Sequence, residues 1–524
     1  MSLSILIWLP LVVGLVGLAL PRARVGRWSA LGSLVTLGIA ISFLARFKTG
    51  HAGLQFTTDK VWISELGIHY KLGLDGLNVL LVVLTALLFS VSIGWSSQRE
   101  WDRPQLFYFH LGLAESAVLG AFCAQDLALF VALFDLMLIP FYFLTGMWGS
   151  GDRVRATTKL VIYTLVGSFL MLVAAIATGV LASSEHGTSL TFVLSQLRAL
   201  PLSHTSQEWI FLCFAAAFLV KMPLVPFHGW LPDAYKSMPP PVVAVFSGVL
   251  SKVAAYGFLR VVLPLFPFAS VHYQTLMLLT ALVSIIYATS LAFTTNDARL
   301  VVAYSSVAQL GFIVLGIFSL RPTGSQGALL QMVNHGLVTA PLFFIVAALA
   351  ARAGGSEDLR AMGGIAVRAP ALAALFLIVG LATLAIPGSS NFIGEFLILL
   401  GVFQSKLAVS VIAFLGVVGA AYYALRLYIR SMHNRVSPSV DSREISWREA
   451  IGVVPLVIVI LVLALYPRFG LVRSERTVQE TVAPAQLLAG SRPAAQALRD
   501  AGLSGFLVAG SIRSGATTGA GGTP

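Results

Sequence analysis

Five side chains able to carry a proton stand where the sequence around them is almost wholly apolar. Asp135 lies in ALFVALFDLMLIPFYF, Lys221 in FLVKMPLVPFHGWLPDAY and Lys252 in VVAVFSGVLSKVAAYGFL, while His335 lies in QMVNHGLVTAPLFF and Glu395 in LATLAIPGSSNFIGEFLILL. Glu115 and His228 are of the same kind. A charge at the centre of a bilayer costs about 2.5–3.5 kcal/mol on insertion scales, so such groups face a bundle interior or a wet cavity and mark ion or proton paths. Acid, amine and imidazole spread over six or seven segments make a proton relay rather than one solute pocket. Each group also has a plain structural reading. Asp135 could fix helix packing through an ion pair, Lys252 could meet a helix carboxyl terminus, and His335 or His228 could be hydrogen-bonded core histidines.

Lys221 is the expected partner of Asp135. In a low dielectric, moving the acid by a few ångströms changes the lysine's proton affinity by several kcal/mol, so the pair can act as a switch. Two of the charges adjoin helix breaks. Pro223 removes a donor and leaves the Leu219 carbonyl without its helical partner, and Pro387–Gly388 interrupts the segment before Glu395. Unwound backbone at membrane depth is tolerated only beside protein or water, which predicts water next to Glu395. Small residues Ser247, Gly248 and Ser251 on the approach to Lys252 allow close packing or water.

The elements that must hold these groups follow from composition. The 524 residues are 57% hydrophobic and 11% charged, which describes a chain solvated by lipid. Hydropathy, with Gly, Pro and charge as punctuation, predicts an all-α membrane protein of about fourteen spans. They lie near 3–20, 28–46, 76–96, 105–122, 127–148, 157–182, 208–230, 242–264, 274–293, 299–318, 327–351, 370–401, 407–430 and 449–466. The first lacks a charged leader and a cleavage motif and reads as a retained span, not a signal peptide. The seventh and twelfth spans are both broken and both charged, five apart. That spacing predicts two inverted five-helix repeats, near 105–264 and 274–430.

Loops of one side carry most of the loop lysines and arginines, among them Arg22, Arg24, Arg27, Arg99, Arg103, Arg153, Arg155 and Lys159. The opposite loops hold Arg46, Lys48, Lys60, Lys71, Arg198, Arg321 and Lys406. By the positive-inside rule the first set is cytoplasmic and both termini face outward, in a bacterial-type inner membrane. The net charge of +12 is therefore an orientation signal; no basic run interleaves with aromatics, so nucleic acid is not expected. Arg260 and Arg426, near span ends, are expected to snorkel to the interface. Residues 1–75 hold two spans and an outward loop, 76–430 a core, and 431–466 a loop and the last span. Residues 467–524 form an outward, poorly ordered tail, with room for a weakly amphipathic helix around 475–500. Cys123 and Cys213 sit in apolar segments without a CxxC partner, which argues against a disulfide, an iron–sulfur cluster or a zinc site.

The stretches LMLIPFYF, KMPLVPFHGWLPDAY, GVLSKVAAYGFLR, AYSSVAQLGF, NHGLVTAPLFF and IPGSSNFIGEFLIL, in this order over about residues 70–430, resemble the antiporter-like membrane subunits of respiratory complex I. These are related to subunits of Mrp-type cation/proton antiporters and of membrane-bound hydrogenases. The acid at Glu395 is similar to the M-chain (subunit 4) branch, where the L and N chains carry lysine, and no long lateral helix is expected after the last span. The resemblance implies a proton channel of two half-channels, driven by quinone reduction elsewhere in an NADH:quinone oxidoreductase. Asp135 and Lys221 would form the coupling pair, Lys252 and His335 the central relay, and Glu395 the exit; His228 and Glu115 are further candidates. It implies no cofactor in this chain, with flavin, iron–sulfur clusters and quinone in partner subunits, and membrane-arm subunits of the L and N types as partners. Two residues depart from the family pattern: Asp135 stands where glutamate is usual, and Gln309 where histidine is common. The shorter acid would need a water or a backbone shift to reach Lys221. A redox-independent antiporter subunit, a membrane scaffold with structural charges and a solute transporter are the rival readings of the residues.

Overall fold

In lipid every backbone amide must be satisfied within its own segment, so an apolar sequence of this length becomes helices. The computed structural model describes residues 2–434 and 440–500, the last ten of these by their backbone alone. Among them, ten helices are long and apolar enough to cross a membrane, or eleven if the bent pair Val454–Leu465 and Arg468–Gly490 is one span. Leu3–Leu18, Pro370–Thr383 and Ser390–Ser405 are shorter apolar helices. The chain is thus a multi-pass, all-α membrane protein.

Pro240–Leu265, Ala298–Phe318 and Pro322–Arg352 form the buried centre, while Arg22–Arg46 and Leu407–Met432 turn most of their surface outward. Glycine sets the closest central crossing. A Cβ on Gly336 would stand 2.6 Å from the Gly248 carbonyl oxygen, so a side chain there would push the two spans apart. Lys252 and His335 lie within four residues of this crossing. The Lys252 span is itself irregular, with π-helical turns at Phe246–Leu250 and Phe258–Val262 on either side of Ser251–Gly257. Both expected breaks are present. His204–Lys221 stops before Pro223 and resumes as a 3₁₀ turn, Phe227–Trp230, and the helix Leu231–Ser237. Pro370–Thr383 and Ser390–Ser405 are separated by a turn in which Gly388 has φ +91°.

Three features differ from the sequence-based expectation. The loop after the second span contains an antiparallel hairpin, Gln55–Ile63 with Ile68–Leu74, fastened to the bundle by His69 N–H to Asp126 Oδ2 (3.0 Å) and by Gln125 N–H to the Lys71 carbonyl (2.8 Å). The tail expected to be poorly ordered from residue 467 is helical over Arg468–Asp500, at 71° to Val454–Leu465, so a long helix does follow the last span. Its Ser, Thr and Ala residues, read as signs of disorder, instead make a packing face. Ser474, Val478, Val482 and Ala485 recur at helical spacing and are buried, and Thr477 Oγ1 accepts from Gly76 N–H at 3.2 Å. Residues 501–524 of that tail lie outside the described residues.

The third difference is Arg260, which does not snorkel. It is buried and bidentate to Asp75 (2.6 and 2.7 Å), and its Nε donates to the Tyr256 hydroxyl at 2.8 Å. That hydroxyl donates in turn to the Phe122 carbonyl at 2.9 Å, tying the Lys252 span to Pro104–Cys123. Arg426, by contrast, is only partly buried and reaches the loop at the open face, where it donates to the Thr295 carbonyl (2.7 Å) and Asn296 Oδ1 (2.6 Å), as the expected snorkelling implies. Because a buried ion left without its partner keeps the whole desolvation cost, Asp75→Ala should destabilise the purified protein by about 3–5 kcal/mol. The double replacement Asp75→Leu with Arg260→Met should recover most of that loss in the same unfolding measurement.

Candidate functional site

Asp126 caps the helix Leu127–Leu136 by accepting from Ala128 N–H (2.9 Å) and Leu129 N–H (3.1 Å), and this sets Asp135 in its last turn. Lys221 is the final residue of His204–Lys221, because Pro223 cannot continue the ladder. The two meet at Nζ–Oδ1 3.8 Å. That is the far edge of an ion pair and matches the shorter reach of aspartate. The ammonium fills its remaining demand with the Phe134 carbonyl (3.1 Å) and the Phe134 ring face (4.1 Å to the centroid). Ser168, on Arg153–His186, donates to Asp135 Oδ1 at 2.5 Å. The pair is asymmetric: the Lys221 side chain is 2% exposed and that of Asp135 32%. The carbonyls freed at this break, which the prolines deprive of helical partners, are taken up within the protein. Leu224 N–H takes the Leu219 carbonyl (3.1 Å) and the Trp230 indole takes that of Val220 (3.0 Å).

Lys252 is fully buried, and its Nζ donates to the Ser247 carbonyl at 2.5 Å, inside the wide π-helical turn. No carboxylate lies within ion-pair distance of it among the described residues. His335 is also buried, with neither ring nitrogen hydrogen-bonded, and it is within electrostatic range of Lys252. One turn earlier on the same helix is Gln331. Its amide donates to Gln309 Oε1 (2.8 Å) and to Glu395 Oε1 (3.4 Å), while Gln309 Nε2 donates to Glu395 Oε1 at 2.7 Å. The acid expected beside water is therefore held by two glutamines. Beside it, the helix break presents the buried side-chain oxygens of Ser389, Ser390 and Asn391, which have no partner among the described residues; the Asn334 amide holds the Ser390 carbonyl at 2.6 Å.

Lys252, His335, Gln331, Gln309 and Glu395 thus form one buried polar stretch across the centre. Sequence reasoning singled out Gln309 only as a departure and missed Gln331. The available signal was spacing: Gln331 and His335, four apart, share a helix face. Two candidates stand apart. Glu115 is buried on Pro104–Cys123 with neither oxygen hydrogen-bonded, and His228, partly exposed, sits edge-on to Tyr287 at 5.2 Å. No hydrogen bond or ion pair joins either to the other five among the described residues.

At the face with the basic excess, a cavity of about 830 Å³ opens between the connecting loops, lined by Asp152, Asp233, Lys236, Asp297, Glu357 and Arg360 among others. Asp297, 2.9 Å from Lys236, holds that ammonium above its ordinary range. Burial raises the Glu357 carboxyl although Arg299 lies 2.6 Å away. No three His, Cys, Asp or Glu side chains converge as a metal site among the described residues, and Cys123 and Cys213 are free thiols.

Comparison with known proteins places this geometry among relatives. Residues 124–421 match the family described as NADH:quinone oxidoreductase/Mrp antiporter, TM. The chain is 36% identical over 480 residues to NADH-quinone oxidoreductase subunit M of Rhodobacter capsulatus, covering 89% of this chain and 93% of that one. In structure it is similar to a chain of respiratory complex I from Thermus thermophilus with bound NADH, at TM-score 0.84 and 30% identity, over 92% of this chain and 100% of that one. A chain of the Mrp complex from Dietzia sp. DQ12-45-1b shares the fold, at TM-score 0.79 and 21% identity, over 93% and 99%.

If the 3.8 Å separation reflects the missing methylene, Asp135→Glu should bring the carboxylate to an ordinary salt-bridge distance of about 2.8–3.0 Å from Lys221 Nζ. A high-resolution structure of that variant reads the distance directly, and an unchanged gap would assign it to the helix positions instead.

Proposed function

This chain belongs to the NADH:quinone oxidoreductase/Mrp antiporter membrane-subunit family, and on that premise we propose that it is a proton-translocating subunit of an NADH:quinone oxidoreductase, of the subunit M kind. The observation that carries the proposal is the line of buried proton-carrying groups with little to neutralise them. A scaffold gains nothing from a lysine with no carboxylate or a histidine with no hydrogen bond at the centre of a bilayer, and each costs several kcal/mol to keep there.

In this reading Asp135 sets the charge state of Lys221. Opening the pair from 3.8 Å to about 7 Å removes roughly 2 kcal/mol of attraction at an effective dielectric of about 20, more than tenfold in the lysine's proton affinity. Lys252 and His335 carry the proton across the glycine crossing. Gln331 and Gln309, whose amides can reorient but not ionise, hold Glu395 in place, and Glu395 passes the proton to water at the Pro387–Ser390 break. Movement between these groups runs through water where no direct bond exists.

Fourteen spans arise if Leu3–Leu18, His204–Lys221, the broken pair Pro370–Ser405 and Val454–Leu465 join the ten long helices. The central ten would form two inverted repeats, with both termini outward from a bacterial inner membrane. Glu115 and His228 would serve access to the relay rather than its centre. Electrons would stay in partner subunits holding flavin, iron–sulfur clusters and quinone, with neighbours of the L and N types in the membrane arm and no cofactor in this chain. The Mrp-like fold supports a second host, a cation/proton antiporter without redox subunits.

The test is proton translocation by the assembled complex in sealed vesicles. Asp135→Asn, Lys221→Met and Glu395→Gln should each reduce it about tenfold or more, equivalent to 1.4 kcal/mol or more at the limiting step, with subunit composition unchanged. If all three variants pump normally, the relay is wrong. Affinity capture of the tagged chain should bring down flavin and iron–sulfur subunits; capture of antiporter subunits alone would move it to the Mrp-type host.

A further inference from the structure

Three separate parts of the chain bring arginines to one cavity at the face with the basic excess. The cavity, about 650 Å³, is lined by Arg22 and Arg27 from the first turns of Arg22–Arg46, Arg99 just beyond Val79–Ser96, and Arg448 from the turn before the last span, together with Glu100 and Trp101. Among the described residues none of the four guanidinium groups has a carboxylate within ion-pair distance. The nearby Glu449 is taken by the buried Arg352 at 2.9 Å. Arg99 lies 3.3 Å from the centroid of the Trp95 ring, which leaves its N–H edges free for another acceptor, and burial pulls its guanidinium below the ordinary arginine range. Four like charges stand against Glu100 in the cavity wall and the more distant, already paired Glu449, and such a surplus of guanidinium groups attracts an anion.

The surroundings identify the anion. Arg27 begins a helix face whose next positions, Leu31, Leu34 and Val35, follow at four, seven and eight residues and are 62%, 56% and 55% exposed. An apolar track runs directly from the arginine cavity along the span. On a membrane-spanning helix that track is covered by acyl chains, so an anion that carries its own chain reaches cavity and track together, which a free inorganic anion does not. A partner helix would cover the track but would have to bring several carboxylates to the cavity at its end. We propose that this cavity and track bind one anionic phospholipid, its phosphate held in bidentate fashion by Arg27 and Arg448 with Arg22 and Arg99 behind, and its acyl chain along Leu31, Leu34 and Val35. The site is independent of the proton relay, so either reading can fail without the other.

The purified full-length protein, in its native assembly, is delipidated and exchanged into nanodiscs of tetraoleoyl cardiolipin, dioleoyl phosphatidylglycerol or dioleoyl phosphatidylcholine, and retained lipid is read by native mass spectrometry. Cardiolipin and phosphatidylglycerol should be retained and phosphatidylcholine lost. Arg27 and Arg448 are exposed, so Arg27→Gln with Arg448→Gln should fold normally and weaken anionic-lipid retention about thirtyfold. Leu31→Ser with Leu34→Ser should weaken it too, and millimolar inorganic phosphate should fail to displace the lipid. Equal retention of phosphatidylcholine, or retention unchanged by the arginine pair, overturns the proposal. Displacement by inorganic phosphate with no effect of the leucine pair assigns the cavity to a free anion, and a neighbouring subunit found seated on the track assigns it to protein; each overturns the lipid.

Discussion

A bilayer interior supplies no hydrogen bonds and almost no dielectric screening, so each charge taken into it must be met by another group of the protein. The structure answers this demand in two opposite ways. Arg260 and Asp75 are fully matched, bidentate and backed by the Tyr256 hydroxyl, and they lock the carboxyl-terminal end of Pro240–Leu265. Lys221 and Lys252 are met mainly by backbone carbonyls, those of Phe134 and Ser247, which accept a hydrogen bond without cancelling the charge. An ion pair of the first kind is costly to open and holds shape. A cation of the second kind keeps its charge at the mercy of small displacements, which is what transfer of a proton requires.

Backbone irregularity is the means by which the second kind is built. A regular helix engages each interior carbonyl in its own ladder, so a carbonyl released by a wide turn or a break is the freer acceptor for a lysine side chain. The π-helical turn at Phe246–Leu250 does this for Lys252, the prolines at 223 and 226 place Lys221 at a helix end, and the turn at Pro387–Ser389 exposes polar side chains beside Glu395. The Gly248–Gly336 contact then brings two such irregular regions together at the closest approach the chain allows. Sequence, irregular backbone and charge placement are one device here, distributed over segments far apart in the chain.

Which parts could be read beforehand follows from the same physics. Asp135, Lys221, Lys252 and Glu395 stand out because an ionisable residue in an apolar run is a strong signal, and prolines made both broken helices legible. Gln309 and Gln331 were harder, since an amide carries no charge and cannot ionise, so it does not announce a proton path; only the four-residue spacing to His335 hinted at a role. Asp75 lay at the edge of a loop and gave Arg260 no visible partner, because the pair spans 185 positions of sequence. The hairpin escaped for a related reason, and the helix from Arg468 was legible only as room for a weakly amphipathic one around 475–500. Their stability comes from docking on the end of the bundle, through Asp126 and Gly76, rather than from propensity that a local window reports.

The uneven burial of the Asp135–Lys221 pair bears on where control can enter. Lys252, His335, Gln331, Gln309 and Glu395 are enclosed by the chain's own helices, so nothing outside it can change their surroundings without first moving a span. Asp135 is different: its carboxylate is held by one serine, and its side chain is a third exposed at the surface of the chain. Whatever packs there, lipid or protein, alters the dielectric around the acid and so the strength of its hold on Lys221. Ser168 is then more than a packing partner, because the hydrogen bond it donates keeps the acid from swinging outward. The same Oδ1 faces Ser168 at 2.5 Å and Lys221 at 3.8 Å, so the two partners share one oxygen of an acid that stands partly outside the bundle.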